Sequence, residues 1–468
     1  MPQCKVHCKK IECAIEPVAL TEVFAGLSGP TILGGNDSSR FSYWMAEPRE
    51  IFEFQDGDTG PFSKLQQSLD CYELAAKTNK ELSEGIFVGG WAGYFGYELG
   101  RYIEKLPARA VDDLKVPLIR LCFYDRVIAY DSAENLWRAI ALEVEGDSET
   151  ADDKLLWLET KIKEQKVKSK KAGQNVKIKN NNHSNMSKDE YGGAISKIRR
   201  YIQEGDVYQI NFSHRIECDW NARPIDLYHW QNEHNPSPYA AYINAGDFAI
   251  VSASPEMFIT IRGRVISTKP IKGTRPRVTD RFINEKNLSE LLNSEKEQAE
   301  LNMIIDLERN DLGRICQYGT IKVSQPRTIE VYPTLFHAVA AVEGKLRDEI
   351  TFCNVLKAVF PGGSITGAPK IRAMEIIDEL EPTQRGVYTG SIGFIGIDGT
   401  VCLNIAIRTV IIRHGKAYAQ TGGGIVYDSR PQAEWQETLT KAKALLEGIE
   451  KTNYQTRTNT DKHRLIES

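Results

Sequence analysis

The sequence predicts an α+β chain. Three observations point there: β-type runs along most of its length, one clear hairpin signal, and helical segments set among the later strands. In the N-terminal stretch, about 10–160, Leu118-Ile119-Arg120-Leu121-Cys122-Phe123-Tyr124 has the apolar and aromatic content of a strand. Trp91-Ala92-Gly93-Tyr94-Phe95-Gly96-Tyr97 reads as sheet packing with tight turns. Further on, Ala249-Ile250-Val251-Ser252-Ala253-Ser254 and Met257-Phe258-Ile259-Thr260-Ile261 are predicted strands. A helix is expected from about 289 to 306, where apolar residues keep a helical period. Asp398-Gly399 then separates the β-runs 391–395 and 401–407, a strong hairpin signal, and a closing helix is expected over about 431–451.

These elements fall into an N-terminal region (1–160), a flexible linker or loop (161–186), a second folded region (187–451) and a frayed tail (452–468). The linker is rich in Lys, Asn, Gln and Ser, and its isolated apolar residues cannot offset the entropy of ordering it.

Composition narrows the function. Of 468 residues, 41% are hydrophobic, enough for a sizeable core in two or three domains or in one large assembly. A formal net charge of -4 provides no general field for nucleic acid or an anionic membrane, so any basic site must be local. No run approaches the roughly 18–20 apolar residues of a membrane span. Met1-Pro2-Gln3-Cys4-Lys5 does not lead into the apolar core of a secretory leader, and a cytoplasmic chain is expected. Nine cysteines, an odd number, fit free thiols in a reducing compartment. Cys4, Cys8 and Cys13 lack the second pair that a zinc site would need.

The chemistry-bearing candidates lie in the second region. Glu434 and Glu437, three apart on the closing helix, share one face, and Glu300 sits on the earlier one. Carboxylates meeting from two helices would make a hard-oxygen site for Mg²⁺. Alone, such a spacing more often marks a solvated helix face. The run Pro361-Gly362-Gly363-Ser364-Ile365-Thr366-Gly367-Ala368-Pro369-Lys370 lacks the Lys-Ser/Thr of a nucleotide-binding loop. It reads instead as a glycine-rich loop entering a helix, with backbone N–H groups suited to an anion, or as a plain tight turn. Gly422, Gly423 and Gly424 permit close backbone approach to a ligand. Arg408 and Lys441 are candidate carboxylate contacts. Lys272, in Pro270-Ile271-Lys272-Gly273-Thr274, becomes a nucleophile only if burial or neighbouring positive charge lowers its pKa; out of context it is an exposed turn lysine.

Taken in order, several motifs resemble those of the chorismate-utilising enzymes. They are Gly205-Asp206-Val207-Tyr208-Gln209, Ser254-Pro255-Glu256, Pro270-Ile271-Lys272-Gly273-Thr274-Arg275-Pro276-Arg277, Ala299-Glu300 and Asp306-Leu307-Glu308-Arg309-Asn310-Asp311. The 361–370 loop, Ala406-Ile407-Arg408-Thr409 and the stretch 422–437 complete the set. The likeness is close over about 190–447 and looser over 89–126. It implies a two-sheet, mainly antiparallel β-sandwich core flanked by helices, with 187–451 as the chorismate-binding catalytic region. It also implies Mg²⁺ held by Glu300 and Glu437, with Glu434 acting through water, and Glu256 as the acid that protonates a leaving hydroxyl. His337 matches an active-site histidine. Thr274, Thr366, Tyr388, Arg408, Lys441 and the backbone of Gly422, Gly423 and Gly424 match substrate contacts.

Two positions then discriminate within the family. Isochorismate and salicylate synthases resemble this chain but carry a water-activating lysine where Gln209 stands, so an ammonia user is implied. Anthranilate synthases usually read Pro-Ile-Ala-Gly-Thr where this chain has Lys272. The lysine resembles the branch that makes 4-amino-4-deoxychorismate for 4-aminobenzoate and folate synthesis. No glutamine amidotransferase motif is present, so ammonia is expected from a separate glutaminase subunit, with no nucleic-acid or membrane partner. The family also suggests a tryptophan or feedback pocket, but its Leu-Leu-Glu-Ser element is not evident near Leu33-Gly34-Gly35-Asn36. The rival expectations are an anthranilate synthase component I and a non-catalytic binding subunit.

Overall fold

Two sheets are woven from both ends of the chain. The computed structural model describes residues 1–75, 82–165, 182–332 and 335–464. Most of the expected linker falls on 166–181, outside the described residues. From one edge, the first sheet runs His183–Ser184, Gln209–Asp219, Lys416–Ile425, Thr409–Arg413, Phe248–Ser254 and Tyr239–Asn244. It continues through Thr31–Leu33, Phe41–Met45, Arg126–Asp131, Leu136–Val144, Gln3–Ile11 and Glu73–Leu74. The second runs Ile271–Pro276, Leu335–Lys345, Val265–Lys269, Met257–Arg262, Val401–Asn404, Ser391–Gly396, Gly90–Phe95, Ile119–Tyr124 and Glu50–Phe54. Neighbouring strands are antiparallel except Gln3–Ile11 beside Glu73–Leu74.

The sheets face each other across an aromatic and aliphatic core. Tyr43 of the first sheet meets Phe394 of the second edge-on, with ring centroids 5.5 Å apart, and Tyr94 meets Phe248 at 6.2 Å. Helices cover the outer faces. Pro17–Ala25, Ala151–Lys163, Pro224–His234 and the closing helix bury Phe24, Leu158, Leu227 and Leu445 against the first sheet. Glu295–Gly313 packs on the second sheet, with Phe352–Val359 against that helix, while Lys188–Gln203 and Lys370–Leu380 pack beside strand Gln209–Asp219 of the first; Leu301, Leu356, Ile195 and Ile377 share one apolar cluster. This is the expected two-sheet antiparallel core with flanking helices.

Several local expectations need correction. The run 91–97 packs in a sheet as expected, but most of it is the fully buried interior strand Gly90–Phe95 of the second sheet, and only its end leaves into a 3₁₀ turn at Tyr97. Its glycines serve close packing: Gly93 lies opposite Gly393, and a Cβ on Gly93 would overlap the Arg120 carbonyl. The helix expected over 289–306 is two helices, Arg281–Asn293 and Glu295–Gly313. Ser294 stands between them with extended dihedrals, and its hydroxyl accepts the Glu297 N–H at 3.3 Å, capping the second helix. A one-residue break of this kind leaves the apolar period nearly intact. The closing helix runs Pro431–Arg464, past its expected end near 451. Just past that point Asn453 ties it to the first sheet: it donates to the Asp219 carbonyl at 2.6 Å and accepts from the Asn221 N–H at 3.1 Å. The β-run 401–407 is shorter, Val401–Asn404, and Arg408 occupies a connection with φ 51° instead of a strand end.

The glycine packing yields a stability prediction. Gly93→Ala should lower unfolding free energy by on the order of 3 kcal/mol or prevent folding, since backbone on the neighbouring strand must move. Gly193→Ala, at an exposed helical position with open space around it, should raise stability by about 1 kcal/mol. Urea unfolding followed by circular dichroism checks both.

Candidate active site

The site forms where the chain crosses between sheets. Strand Phe248–Ser254 belongs to the first sheet and Met257–Arg262 to the second, so Ser254-Pro255-Glu256 spans the seam. The Ser254 hydroxyl donates to the Ile405 carbonyl at 2.6 Å, and the Ile405 N–H donates to the Glu256 carbonyl at 3.0 Å. Glu256 is thereby fixed with its side chain buried. One carboxyl oxygen, Oε1, has no hydrogen-bond partner. Burial pushes this carboxyl above its ordinary pKa, although the Ser364 hydroxyl and Lys272 pull the other way.

Lys272 lies on the edge strand Ile271–Pro276, where the pairing with Leu335–Lys345 shifts register between Ile271 and Thr274. The irregularity includes Gly273 at φ 93°. It turns the partly buried Lys272 inward, where Nζ donates to the Ser364 carbonyl at 3.2 Å. Burial lowers the amine's pKa, opposed by Glu256 and then Glu300. Amine and carboxyl are thus both displaced toward their neutral forms. Two residues on, the Thr274 hydroxyl and His337 Nδ1 are 2.8 Å apart across the same strand pair. Burial, then the nearby Arg408 guanidinium, lowers the His337 pKa to about 4, so the ring is neutral at neutral pH.

The 361–370 loop closes the inner wall. Asn211 anchors it twice, its N–H donating to the Thr366 carbonyl at 2.8 Å and its side-chain amide to the Ser364 carbonyl at 2.7 Å. At the far end Lys370 pairs with Asp311 of helix Glu295–Gly313 at 2.5 Å. Thr366 is fully buried and its hydroxyl donates to the Gly362 carbonyl at 3.0 Å, so that proton is held inside the loop.

The three glycines form part of strand Lys416–Ile425, paired with Gln209–Asp219. A Cβ on Gly424 would overlap the Gln209 amide. Gln209 is 1% exposed, yet neither atom of its amide has a hydrogen-bond partner. Buried polar groups are normally paired. With Glu256 Oε1, these orphaned atoms leave donor and acceptor capacity for a ligand. A Cβ at Gly423 would lie 3.5 Å from Glu437 Oε1 and 3.6 Å from Glu434 Oε2, so the glycine backbone borders the carboxylates.

Glu434 and Glu437 share a face of the closing helix, as their spacing implied, but differ electrostatically. Burial raises the Glu434 carboxyl against a hydrogen bond from Ser429. Burial also pushes Glu437 up, but Lys441, 2.7 Å away, outweighs it and the net shift is downward. Lys296, 3.9 Å from Glu300, also acts on both Glu434 and Glu437 and so links the two helices. Among the described residues no set of three or more His, Cys, Asp or Glu is arranged to hold a metal by itself. Mg²⁺ does not require such a set: it takes one or two carboxylates, substrate oxygens and water. Glu300 and Glu437, both felt by the Lys272 charge, supply donors of the right hardness.

The structure therefore gathers Glu256, Lys272, Glu300, Glu437 and Lys441 into one electrostatic neighbourhood, beside the Thr274–His337–Arg408 group. Tyr388 is buried behind the loop, its N–H donating to the Arg385 carbonyl at 3.1 Å. Thr389 and Arg408 hold φ of 59° and 51°, sparsely populated for such side chains. A backbone bond from the Thr389 N–H to Ala406 at 2.9 Å joins their segments. Sequence reasoning missed Lys296, Asn211, Ser364 and Arg385. Lys296 had a visible signal, its i, i+4 spacing to Glu300. Asn211 and Arg385 reach the loop through its backbone carbonyls, and Ser364 meets Glu256 only through the fold, so these three have none.

Residues 30–447 match the model of the family described as chorismate binding enzyme. The chain belongs to that family. It is 40% identical over 393 residues to aminodeoxychorismate synthase component 1 of Bacillus subtilis, covering 82% of this chain and 81% of that one. It is also 39% identical over 419 residues to anthranilate synthase component 1 of Thermus thermophilus, covering 88% and 89%. Among solved structures, anthranilate synthase component I from Streptococcus pneumoniae superposes with a TM-score of 0.76 at 29% identity, covering 86% of this chain and 92% of that one. The Escherichia coli isochorismate synthase MenF gives 0.70 at 16% identity, covering 96% and 95%, a likeness of fold alone. The protein is a chorismate-utilising enzyme, and relatives from two branches stand at similar identity.

Two predictions follow from the geometry. Gly424→Ala displaces the end of a side chain, not backbone, so the protein should stay folded while chorismate turnover falls by about 10²-fold through misplacement of Gln209. Steady-state kinetics beside a thermal melt checks this. Because the His337 pKa falls from 6.5 to about 4 on folding, the unfolded chain takes up the proton first and stability drops as pH falls through that window. The stability advantage of the parent over His337→Asn should shrink by on the order of 3 kcal/mol across it, as read from urea midpoints.

Proposed function

We propose that this protein is the chorismate-aminating component of an aminodeoxychorismate synthase, turning chorismate and ammonia into 4-amino-4-deoxychorismate and water. The observation that carries the reading is that Lys272 and Glu256 meet at the same loop residue, Lys272 at the Ser364 carbonyl and Glu256 at its hydroxyl, as an amine and a carboxyl that burial drives toward their neutral forms. Those are the forms a nucleophile and a general acid require. The uncharged amide of Gln209 supports an ammonia user, because it cannot serve as the base that activates water.

In this reading Glu300 and Glu437 would hold Mg²⁺, with Glu434 acting through water, and the ion would supply Lewis-acid polarisation of the ring carboxylate of chorismate. Arg408, Lys441, Thr274, Thr366, Tyr388 and the backbone of Gly422, Gly423 and Gly424 contact the substrate. His337, neutral and oriented by Thr274, stands beside the reacting ring. The Lys272 lone pair forms a bond to C2, both conjugated ring double bonds shift by one position (C1=C2 to C1=C6 and C5=C6 to C4=C5), and the C4–O bond breaks as Glu256 protonates the departing hydroxyl, which leaves as water. Glu256 recovers a proton from the adduct nitrogen. Ammonia then bonds to C4, both double bonds shift back, and the C2–Nζ bond breaks as Glu256 returns that proton to Lys272. The proton shed by the new C4 ammonium restores Glu256. Ammonia would be delivered by a separate glutaminase subunit, as the component 1 naming of the relatives suggests. The reaction needs neither nucleic acid nor membrane, and no described helix is long and apolar enough to cross one. A cytoplasmic setting suits it.

The test is incubation of the chain with chorismate, magnesium chloride and ammonium chloride, with products separated by chromatography. 4-Amino-4-deoxychorismate should appear and depend on magnesium, chelation abolishing it. Direct release of anthranilate would overturn the assignment in favour of the other branch. Lys272→Ala should lose most product, and a substrate adduct on Lys272 should be detectable by mass spectrometry when ammonia is withheld. Glu256→Gln should lower turnover by about 10²–10⁴-fold, the usual contribution of a general acid.

A further inference from the structure

The 361–370 loop presents three consecutive carbonyls to the interior, and each has its own partner. Ser364 accepts from the Asn211 amide at 2.7 Å and from Lys272 Nζ at 3.2 Å. Thr366 accepts from the Asn211 N–H at 2.8 Å. The middle carbonyl, Ile365, accepts from Arg385 Nη1 at 3.0 Å. The same guanidinium donates through Nη2 to the Asn211 carbonyl at 2.7 Å, so Arg385 grips both the loop and the residue that pins its flanks. It also bonds the Thr389 hydroxyl at 3.2 Å, beside Tyr388.

Arg385 is itself rigidly held. Its side chain is 2% exposed and forks onto Glu381, with Nε donating at 2.9 Å and Nη2 at 2.7 Å. Glu381 in turn accepts the Ser213 N–H at 2.9 Å and hydroxyl at 2.8 Å from strand Gln209–Asp219. The backbone of Arg385 is anchored from the N-terminal region, its N–H donating to Glu98 at 2.8 Å and that of Gly386 at 2.9 Å. A guanidinium can satisfy these acceptors together because its donors are fixed in one plane; an ammonium cannot. The charge is removed from solvent at considerable cost, and a purely packing role would be served by an apolar residue.

We propose that Arg385 is a positioning residue for Lys272: by fixing the Ile365 and Asn211 carbonyls it sets where the Ser364 carbonyl stands, and so where the Lys272 amine points. This rests on the reading of Lys272 as nucleophile. Arg385 touches neither Lys272 nor any group assigned to the metal. Its loss should therefore fall on the chemical step and leave substrate binding largely in place.

A double-mutant cycle tests the link. Arg385→Lys keeps a cation beside Glu381. If it fails to fold, Arg385→Met combined with Glu381→Gln removes both charges of the pair and keeps an acceptor for Ser213. In the parent, either change should lower kcat by about 10²-fold. KM for chorismate should stay within about threefold and the thermal midpoint near the parent's. In the Lys272→Ala background the same change should alter residual turnover by no more than about twofold, since its target is gone. A folded Arg385 variant with parental kcat would overturn the inference. So would an equal loss in both backgrounds, which would mean Arg385 acts elsewhere in the site. Parental product formation by Lys272→Ala alone would sink the nucleophile assignment and this inference with it, and that arm reads independently of the cycle.

Discussion

The seam at Ser254-Pro255-Glu256 is the constraint on which the site depends. The hydroxyl of Ser254 and the carbonyl of Glu256 both bond to Ile405, so the crossing between sheets is stitched to the connection that leads to Arg408. Both sheets take strands from both halves of the chain, although the strands that pair directly beside the seam come from the second half. The strand Gly90–Phe95, far from any chemistry, still matters to it: it pairs with Ser391–Gly396, which precedes the hairpin leading back to Ile405.

Around this seam the environment grades from dry to wet. Gln209, Glu256, Thr366, His337 and Tyr388 are buried, whereas Thr274, Glu437 and Lys441 reach solvent. The gradient divides the labour of charge. Where water is excluded, ionised groups are disfavoured, and Lys272, Glu256 and His337 all shift toward neutrality. At the wet rim, Glu437 stays charged because Lys441 offsets the cost of partial burial. A cation binding there would meet charged oxygen, while the proton-transferring groups behind it remain in the forms the chemistry uses.

Much of this was legible before the fold was known, and the reason differs by residue. Lys272, Glu256 and Gln209 stand in contiguous motifs, and Glu434 with Glu437 declared a shared face by helical spacing. Strand pairing was not legible: nothing local says that Gly93 must oppose Gly393 three hundred residues away. Ser294 splits a helix without disturbing the apolar period, and Asn453 extends the closing helix through hydrogen bonds that hydrophobicity cannot report. Asn211 and Arg385 were invisible for a related cause, since their targets are backbone carbonyls, which carry no sequence identity.

That last point bears on how the two branches of the family can share one scaffold. Relatives named for either branch match this chain about equally well, so overall similarity does not separate the branches. In the proposed reaction the branch is decided by whether an amine occupies the space beside the Ser364 carbonyl. A lysine there is useful only if its long, flexible stem is brought to one orientation, and four rotatable bonds give it many others. The loop carbonyls, fixed from behind by Asn211 and Arg385, provide a single acceptor at the end of that stem. The nucleophile's identity can then be set by one side chain while its position is set by the shared backbone.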